Sequence, residues 1–221
     1  MWTVGIIGSG RIGGTVARLA VAAGYSVVIS NSRGPDTLAD LVAELGPRAR
    51  AATPAEAAET GDLVVLSIPV RACTEVPVEP LKGKIVIDTI NYDPRLHGHI
   101  AELDNASITT SEMVQEHLSA SHVVKAFNNI FFQTLRTLAR PSGATDRTAL
   151  PIAGDDPDAK AEVSRFLDAI GYDTVDAGSL AEGWRWQPGT PAHVVYAGET
   201  VQVAQPGNAE KVRDALAAAT R

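Results

Sequence analysis

The chain has 221 residues, of which 45% are hydrophobic and 20% charged, so its composition excludes a disordered or fibrous protein. It contains 19 Lys and Arg against 26 Asp and Glu, a formal net charge of −7, which argues against general binding to nucleic acids or anionic membranes. A single cysteine, Cys73, excludes an internal disulfide and fits a reducing compartment. With no signal-peptide pattern and no run of 18 apolar residues, we expect a cytoplasmic protein.

Short apolar runs alternate with amphipathic segments, a pattern typical of βαβ units and a parallel sheet. The apolar runs predict strands over residues 3–7, 25–30, 48–52, 62–68, 84–88 and 122–127. The amphipathic segments predict helices over residues 11–23, 35–46 and 111–118. Thr53 and Glu56 predict a capping box that opens another short helix.

Residues 139–146 are rich in turn formers and predict a boundary. We therefore divide the chain into an N-terminal domain, residues 1–140, and a small C-terminal α/β portion, residues 141–221. The second part contains a predicted strand–helix–strand unit over residues 150–177 and a final helix capped by Asn208.

A glycine motif follows the first predicted strand and opens the first helix, as a dinucleotide-binding fingerprint requires. Its residues are Gly8, Ser9, Gly10, Arg11, Ile12 and Gly13. In this motif the first glycine makes the turn, the second lets the pyrophosphate approach the backbone, and the third lets the helix pack closely. We therefore predict a Rossmann doubly wound sheet whose N-terminal domain binds a dinucleotide at these six residues.

The end of the second strand indicates which dinucleotide binds, because an acid there holds the ribose 2′-hydroxyl of NAD. The chain has no acid there and places Asn31, Ser32 and Arg33 instead. A hydroxyl and a guanidinium suit the 2′-phosphate of NADP. The alternative is an ordinary solvated turn ahead of Pro35.

Five segments resemble the NADPH-dependent reductases of the deazaflavin coenzyme F420, the F420:NADP oxidoreductases. They are residues 8–13, 31–33, 62–69, 86–91 and 123–128. The resemblance implies an oxidoreductase that transfers a hydride between NADP(H) and coenzyme F420, with F420 as the second substrate. Such a reaction needs stacked rings in a dry site more than catalytic side chains, and we assign no catalytic residue.

The resemblance also implies roles for single residues. Ser9 to Ile12 would hold the pyrophosphate, and Ser32 with Arg33 the 2′-phosphate. Ile68, Pro69 and Asn91 end the matching segments and are assigned to the cofactor site, Pro69 on the nicotinamide side. Ala126 is expected at the nicotinamide face, where a small side chain admits a second ring. Family members with a second basic residue would carry it near Thr37, which is neutral here.

Two other features leave alternatives open. Trp184, Arg185 and Trp186 could contact a planar substrate, form a subunit interface or pack locally. Lys125 lies in a predicted strand and could neutralise a charge on the cofactor or donate a proton to a carbonyl. Alternatively, its side chain could snorkel from the strand end to solvent. We expect no metal site, since the two nearby histidines of residues 97–99 have no further ligand close in sequence.

Two other functions remain alternatives. One is an NADPH-dependent reductase of a small carbonyl or imine, with Lys125, His193 or Tyr196 as the proton donor. The other is a sensor that binds NADP(H) without turnover. In each case we expect a small-molecule ligand, no nucleic-acid or membrane partner, and a homodimer.

Overall fold

The computed structural model describes residues 2–200 and 202–220. Within them, eight strands form one sheet in the order β3-β2-β1-β4-β5-β6-β7-β8. The strands are β1 Thr3–Ile7, β2 Ser26–Ser30, β3 Ala49–Ala51, β4 Leu63–Leu66, β5 Ile85–Asp88, β6 His122–Lys125, β7 Ala149–Gly154 and β8 Asp173–Asp176. This order confirms the predicted doubly wound α/β fold.

The α-helices are α1 Arg11–Ala22, α2 Ala39–Leu45, α3 Pro54–Thr60, α4 Pro94–His97, α5 Ala101–Asp104, α6 Thr110–His117, α7 Phe132–Thr137, α8 Pro157–Ala169 and α9 Ala209–Ala217. The predicted helix over residues 35–46 begins as the 3₁₀ helix Pro35–Leu38 and continues as α2. The predicted capping box is confirmed, because Thr53 accepts a hydrogen bond from the Glu56 backbone and Glu56 accepts one from the Thr53 backbone.

The inner strands are apolar on both faces because helices cover the sheet on both sides, whereas the edge strands β3 and β8 are partly exposed. Alternate residues of one strand enter different cores: Leu63 and Val65 pack with Val4, Ile6 and the α1 side, whereas Val64 and Leu66 pack with the α3 and α6 side. This burial explains why the strands appear as continuous apolar runs in the sequence.

The C-terminal part continues the same sheet. β7 pairs with β6 in antiparallel fashion, and β8 pairs with β7 in parallel. The antiparallel pairing was not predicted, since the direction of a strand depends on the connection before it and not on its own residues. The division near residue 140 stays a prediction. No helix within residues 2–200 and 202–220 has the length and apolar character needed to cross a bilayer.

The fold places the functional loops along one edge. β1, β4, β5 and β6 are parallel, so their carboxyl ends lie side by side. The strand order reverses between β1 and β4, and ligands of open α/β sheets bind at such a point.

Candidate functional site

The glycine loop joins β1 to α1, and its three fingerprint glycines have different roles. Gly8 has a φ of 108°, and a Cβ there would come within 2.0 Å of the Ser67 carbonyl oxygen. A Cβ at Gly13 would come within 1.9 Å of the Gly8 carbonyl oxygen. Gly10 has a φ of −67°, which any residue adopts, and a Cβ there would meet nothing within 4 Å. The fold therefore needs Gly8 and Gly13, whereas Gly10 leaves free space above the loop.

The turn after β2 is tied to the glycine loop by Asn31. Its Nδ2 donates to the Ser9 hydroxyl at 3.3 Å and to the Thr37 hydroxyl at 2.9 Å, and its Oδ1 accepts from the Arg33 backbone N–H at 2.9 Å. Ser32 and Arg33 are exposed. In the described parts of the chain, the Arg33 guanidinium has no hydrogen-bond or ion-pair partner, so it is available to an anion.

A cavity of about 330 Å³, the nucleotide cavity, lies between these two loops and the end of β4. Its lining includes Gly8, Ser9, Gly10, Asn31, Ser32, Arg33, Ile68 and Pro69, together with Pro54 and part of the segment after β4. The structure therefore brings together most of the residues assigned to the cofactor. Ile12 instead packs against the core, and Arg11 is directed to the other side of the loop, where its guanidinium lies 5.3 Å from the centre of the Phe132 ring.

A second cavity of about 240 Å³, the asparagine cavity, lies beyond the ends of β5 and β6. It is lined by Asn91, Asn128, Asn129, Ile130, Phe131, Thr134, His193, Val194, Tyr196 and Ala197. Asn91, assigned to the cofactor from the sequence, lies here and not in the nucleotide cavity. His193 and Tyr196, the proton donors named for the alternative reductase, also lie here, and so does Asn128 from the last matching segment. Sequence reasoning did not predict that these residues meet in one cavity, because they are far apart along the chain.

Asn128 is held in one orientation by a buried network. The Trp186 indole N–H donates to Asn128 Oδ1, and Asn128 Nδ2 donates to Asn91 Oδ1 at 3.1 Å and to the Trp186 carbonyl at 3.3 Å. Asn91 Nδ2 donates in turn to the Asn128 carbonyl. Because an indole N–H can only donate, the Asn128 oxygen must face it. The network joins the ends of β5 and β6 to the C-terminal part.

The backbone before Asn128 is in an unusual conformation. Phe127 is fully buried and has a φ of 65°, in the left-handed region that non-glycine residues rarely occupy. Such conformations persist only where the surroundings enforce them, and they cluster at functional sites. The turn at Phe127 carries the chain from β6 into the lining of the asparagine cavity.

Lys125 lies in neither cavity. It is fully buried, with its Nζ 3.0 Å from the Ser111 hydroxyl, 3.2 Å from the Thr110 hydroxyl and 3.8 Å from the Asp88 carboxylate. Burial lowers the pKa of Lys125, and the charge of Asp88 opposes that shift. The snorkelling alternative is therefore wrong, and the enclosed Lys125 amine lines neither the nucleotide cavity nor the asparagine cavity.

Tyr196 and His193 both line the asparagine cavity but differ as proton donors. The Tyr196 hydroxyl donates to the Ala149 carbonyl, and burial raises the pKa of the phenol well above its usual value, so its proton is held. His193 Nδ1 lies 3.3 Å from the Trp186 carbonyl, and burial lowers the pKa of the imidazole. A neutral His193 would donate through Nδ1 to that carbonyl and present Nε2 as an acceptor.

The tryptophan segment forms the 3₁₀ helix Leu180–Trp186. Trp186 is fully buried, so of the three alternatives (contact with a planar substrate, a subunit interface or local packing) it packs locally. Trp184 is half-buried and lines a separate small cavity beside Tyr92. Arg185 pairs with Glu182 at 2.6 Å and lies 5.9 Å from the centre of the Trp184 ring.

The expectation for Ala126 needs correction. Ala126 is fully buried within the hydrophobic core, and it lines neither the nucleotide cavity nor the asparagine cavity. A residue without accessible surface cannot touch a bound ring unless the surrounding segment moves. The small residue at this position serves the packing after β6, and Asn128, two residues later, reaches the cavity.

Comparison with known proteins agrees with the resemblance predicted from the sequence. Residues 3–92 match the family described as "NADP oxidoreductase coenzyme F420-dependent". The metalloreductase STEAP3 of Rattus norvegicus is 31% identical over 180 residues, which are 80% of this chain but 34% of the rat protein. The chain therefore spans about a third of that relative.

Two solved structures are similar over most of their length. The protein SMa0349 from Sinorhizobium meliloti is 28% identical with a TM-score of 0.77, and the match covers 94% of this chain and 97% of that one. A protein of Arthrobacter sp. FB24, provisionally described as an F420-dependent NADP reductase, is 25% identical with a TM-score of 0.69 over 83% of this chain and 87% of that one.

Proposed function

We propose, from the match of residues 3–92 to the family of coenzyme F420-dependent NADP oxidoreductases, that the chain transfers a hydride between NADP(H) and coenzyme F420. One observation carries the cofactor half of this proposal. The nucleotide cavity has an available guanidinium, Arg33, at the place where an NAD-binding protein has an acid.

The residues fit a bound NADP(H). A Cβ at Gly10 would enter the open space above the loop, and the twelve-residue helix α1 begins directly after Gly10. The free N–H groups at the start of this helix would hold the diphosphate of a bound dinucleotide. Arg33 and Ser32 lie across the cavity from the loop, where charge-assisted hydrogen bonds can hold a 2′-phosphate. Ile68 and Pro69 supply an apolar wall at the end of β4.

The reaction is NADPH + F420 + H⁺ → NADP⁺ + reduced F420, in which nicotinamide C4 supplies a hydride to deazaflavin C5 and solvent supplies the proton. The chain's contribution is to bind, orient and dry the rings. Asn128, fixed by Trp186 and Asn91, offers a rigid amide where β5 and β6 end. Phe131, Ile130 and Val194 give the same cavity an apolar part of its lining.

The buried polar groups favour an acceptor that needs no proton from the protein. Lys125 is enclosed, and the Tyr196 proton is committed to a carbonyl. The second candidate function, reduction of a small carbonyl or imine, depends on His193 as the proton donor, because the proton of Tyr196, the other ionisable residue lining the asparagine cavity, is held by a carbonyl. The lowered pKa of His193 makes it a poor acid at neutral pH.

The experiment is anaerobic NADPH oxidation by the purified chain with F420, a flavin, or a panel of carbonyls and imines as acceptor. The proposal expects turnover with F420 and a strong preference for NADPH over NADH. Turnover with imines that disappears in His193→Gln would favour the second function. NADPH binding without oxidation by any acceptor would favour the sensor alternative.

A further inference from the structure

A third cavity, the basic cavity, lies between α1 and α7 on the far side of the glycine loop and measures about 820 Å³. Its lining includes Arg11 and Arg18 from α1 and Arg136 from α7, and no acidic residue. The chain as a whole carries a net charge of −7. Three guanidinium groups around one cavity therefore give a local positive potential that the average composition does not predict.

The arginines are oriented by their neighbours. The Arg11 guanidinium lies over the Phe132 ring, and Arg18 donates to the Gly14 carbonyl at 2.9 Å and to Glu44 at 2.7 Å. A Cβ at Gly14 would come within 3.2 Å of the Arg18 guanidinium, so glycine there lets the side chain lie against the helix.

Glu44 compensates only part of this charge. Its hydrogen bond to Arg18 lowers the pKa of the carboxyl, so one negative charge stands beside three positive ones. Arg136 is exposed, and no residue of the described ranges gives it a hydrogen bond or an ion pair. Arg11 and Arg136 are thus the cations available to a ligand.

The basic cavity is adjacent to both other cavities. It shares Ser9 and Gly10 with the nucleotide cavity. It is separated from the asparagine cavity by the start of α7, where Phe132 and Gln133 face the basic cavity and Phe131 and Thr134 line the asparagine cavity. A ligand with a ring beside the nicotinamide could extend over this turn toward the arginines.

The residue assigned to the 2′-phosphate does not line the basic cavity. Arg33 lines the nucleotide cavity and not the basic cavity, whereas Arg136 lines only the basic cavity of the two. The two guanidinium sets line different cavities, so a phosphate bound at Arg33 leaves the arginines of the basic cavity for another anion.

We propose that the basic cavity binds the anionic tail of the second substrate through Arg136 and Arg11, while the ring of that substrate lies beside the nicotinamide. This inference rests on the proposed function, and in coenzyme F420 the tail carries a phosphodiester and glutamate carboxylates. The basic cavity therefore favours a planar acceptor with a long anionic substituent. An acceptor that consists of the ring alone obtains no binding affinity from these arginines.

The test compares F420 with the deazaflavin nucleoside that has the same ring and no phosphate or glutamates. In Arg136→Glu, the KM for F420 should rise about 10-fold, because an attractive charge becomes a repulsive one. The KM for the nucleoside and the Kd for NADPH should stay within about 2-fold. Arg213→Glu, an exposed arginine on α9, is the matched control and should behave like the unmutated protein.

Raising the ionic strength should reproduce this difference in the unmutated protein, because salt screens the attraction between the arginines and an anionic tail. The binding of F420 should become weaker, and the binding of the nucleoside should not change. Equal changes for both acceptors in Arg136→Glu, or no change for F420, would overturn the tail site. Equilibrium binding of the two acceptors, followed by deazaflavin fluorescence, measures the same contact without turnover. If neither acceptor is reduced, hydride transfer to F420 fails as the function, whereas a tail-dependent Kd that Arg136→Glu abolishes would still support the site.

Discussion

The two ends of the ligand-binding edge are built in different ways. The nucleotide end comes from the loops at the ends of β1, β2 and β4, and Ser32 and Arg33, which we assign to the 2′-phosphate, are exposed. The asparagine cavity comes from residues more than 100 positions apart, and buried hydrogen bonds hold it: Asn128 to Trp186 and Asn129 to the Ala192 carbonyl at 2.8 Å.

This difference has a consequence for mutations. A side chain of the nucleotide end can be changed with little effect on the fold, because it projects from a turn that backbone hydrogen bonds and Asn31 maintain. A polar residue of the asparagine cavity is part of the fold, so its removal leaves a buried partner unsatisfied. We therefore expect mutations at the nucleotide end to change cofactor affinity without changing stability. Mutations in the asparagine cavity should change activity and stability together.

The largest effect on affinity is expected for Gly10→Val. The backbone angle of Gly10 suits any residue and the side chain would enter open space, so the melting temperature should change little. The Kd for NADPH should rise at least about 100-fold, because the valine occupies the path of the pyrophosphate. Gly13→Val is the contrasting variant: its Cβ overlaps the Gly8 carbonyl, so the protein should lose its cooperative thermal transition. Normal NADPH binding by Gly10→Val in a fluorescence titration would contradict this assignment.

Arg33→Ala should raise the Kd for NADPH about 10- to 100-fold, the equivalent of about 1.5–3 kcal/mol for a charge-assisted hydrogen bond. The Kd for NADH should hardly change, because NADH has no 2′-phosphate. Arg213→Ala, with another exposed arginine, serves as the control. Equal losses for both cofactors would show that Arg33 does not distinguish them.

Asn128→Leu should lower the free energy of unfolding by about 1–3 kcal/mol, because the Trp186 N–H is left buried without an acceptor. It should also lower kcat about 10-fold, with the Kd for NADPH unchanged within about 2-fold. Replacing both partners, as in Asn128→Leu with Trp186→Phe, should restore part of the stability in urea unfolding but not kcat. A full loss of NADPH affinity would place Asn128 at the nucleotide end instead.

The smallest effect concerns His193. Burial lowers its folded-state pKa below the unfolded value near 6.5, so the unfolded chain binds more protons between the two values. Stability should therefore be fully present above about pH 6.5 and decrease as the pH falls from there toward the folded pKa. Urea unfolding between about pH 5 and 7 should show a weaker pH dependence in His193→Gln. An unchanged slope would mean that His193 titrates normally.

The sequence predicted which residues lie together at the nucleotide end because their signals are local. The glycine spacing, the missing acid after β2 and the capping box at Thr53 each depend on residues within a few positions, and each is found in the structure. Arg11 is the exception, since its direction depends on Phe132, a residue far along the chain.

The asparagine cavity and the basic cavity could not be predicted in the same way. Asn128 lies in a segment that resembles the family, but its hydrogen-bond partner Trp186 is 58 residues further along the chain. Only the pairing of β7 with β6 shows that the C-terminal part returns to this end of the sheet. The left-handed conformation of Phe127 has no sequence signature. Without knowledge of that turn, Ala126 was assigned to the nicotinamide face because its side chain is small. Arg136 carried no signal because one exposed arginine on a short helix is ordinary.

The most direct test of the central claim is to follow the hydride itself. NADPH labelled with deuterium at the transferred C4 position is mixed anaerobically with F420 and the unmutated chain, and the reduced deazaflavin is analysed by mass spectrometry. Direct hydride transfer predicts one deuterium in the reduced F420 for each NADPH oxidised, and a much slower transfer in Arg33→Ala at limiting NADPH. Reduced F420 without deuterium, formed while NADPH is oxidised, would contradict direct hydride transfer between the two cofactors. The absence of any NADPH oxidation would contradict it as well.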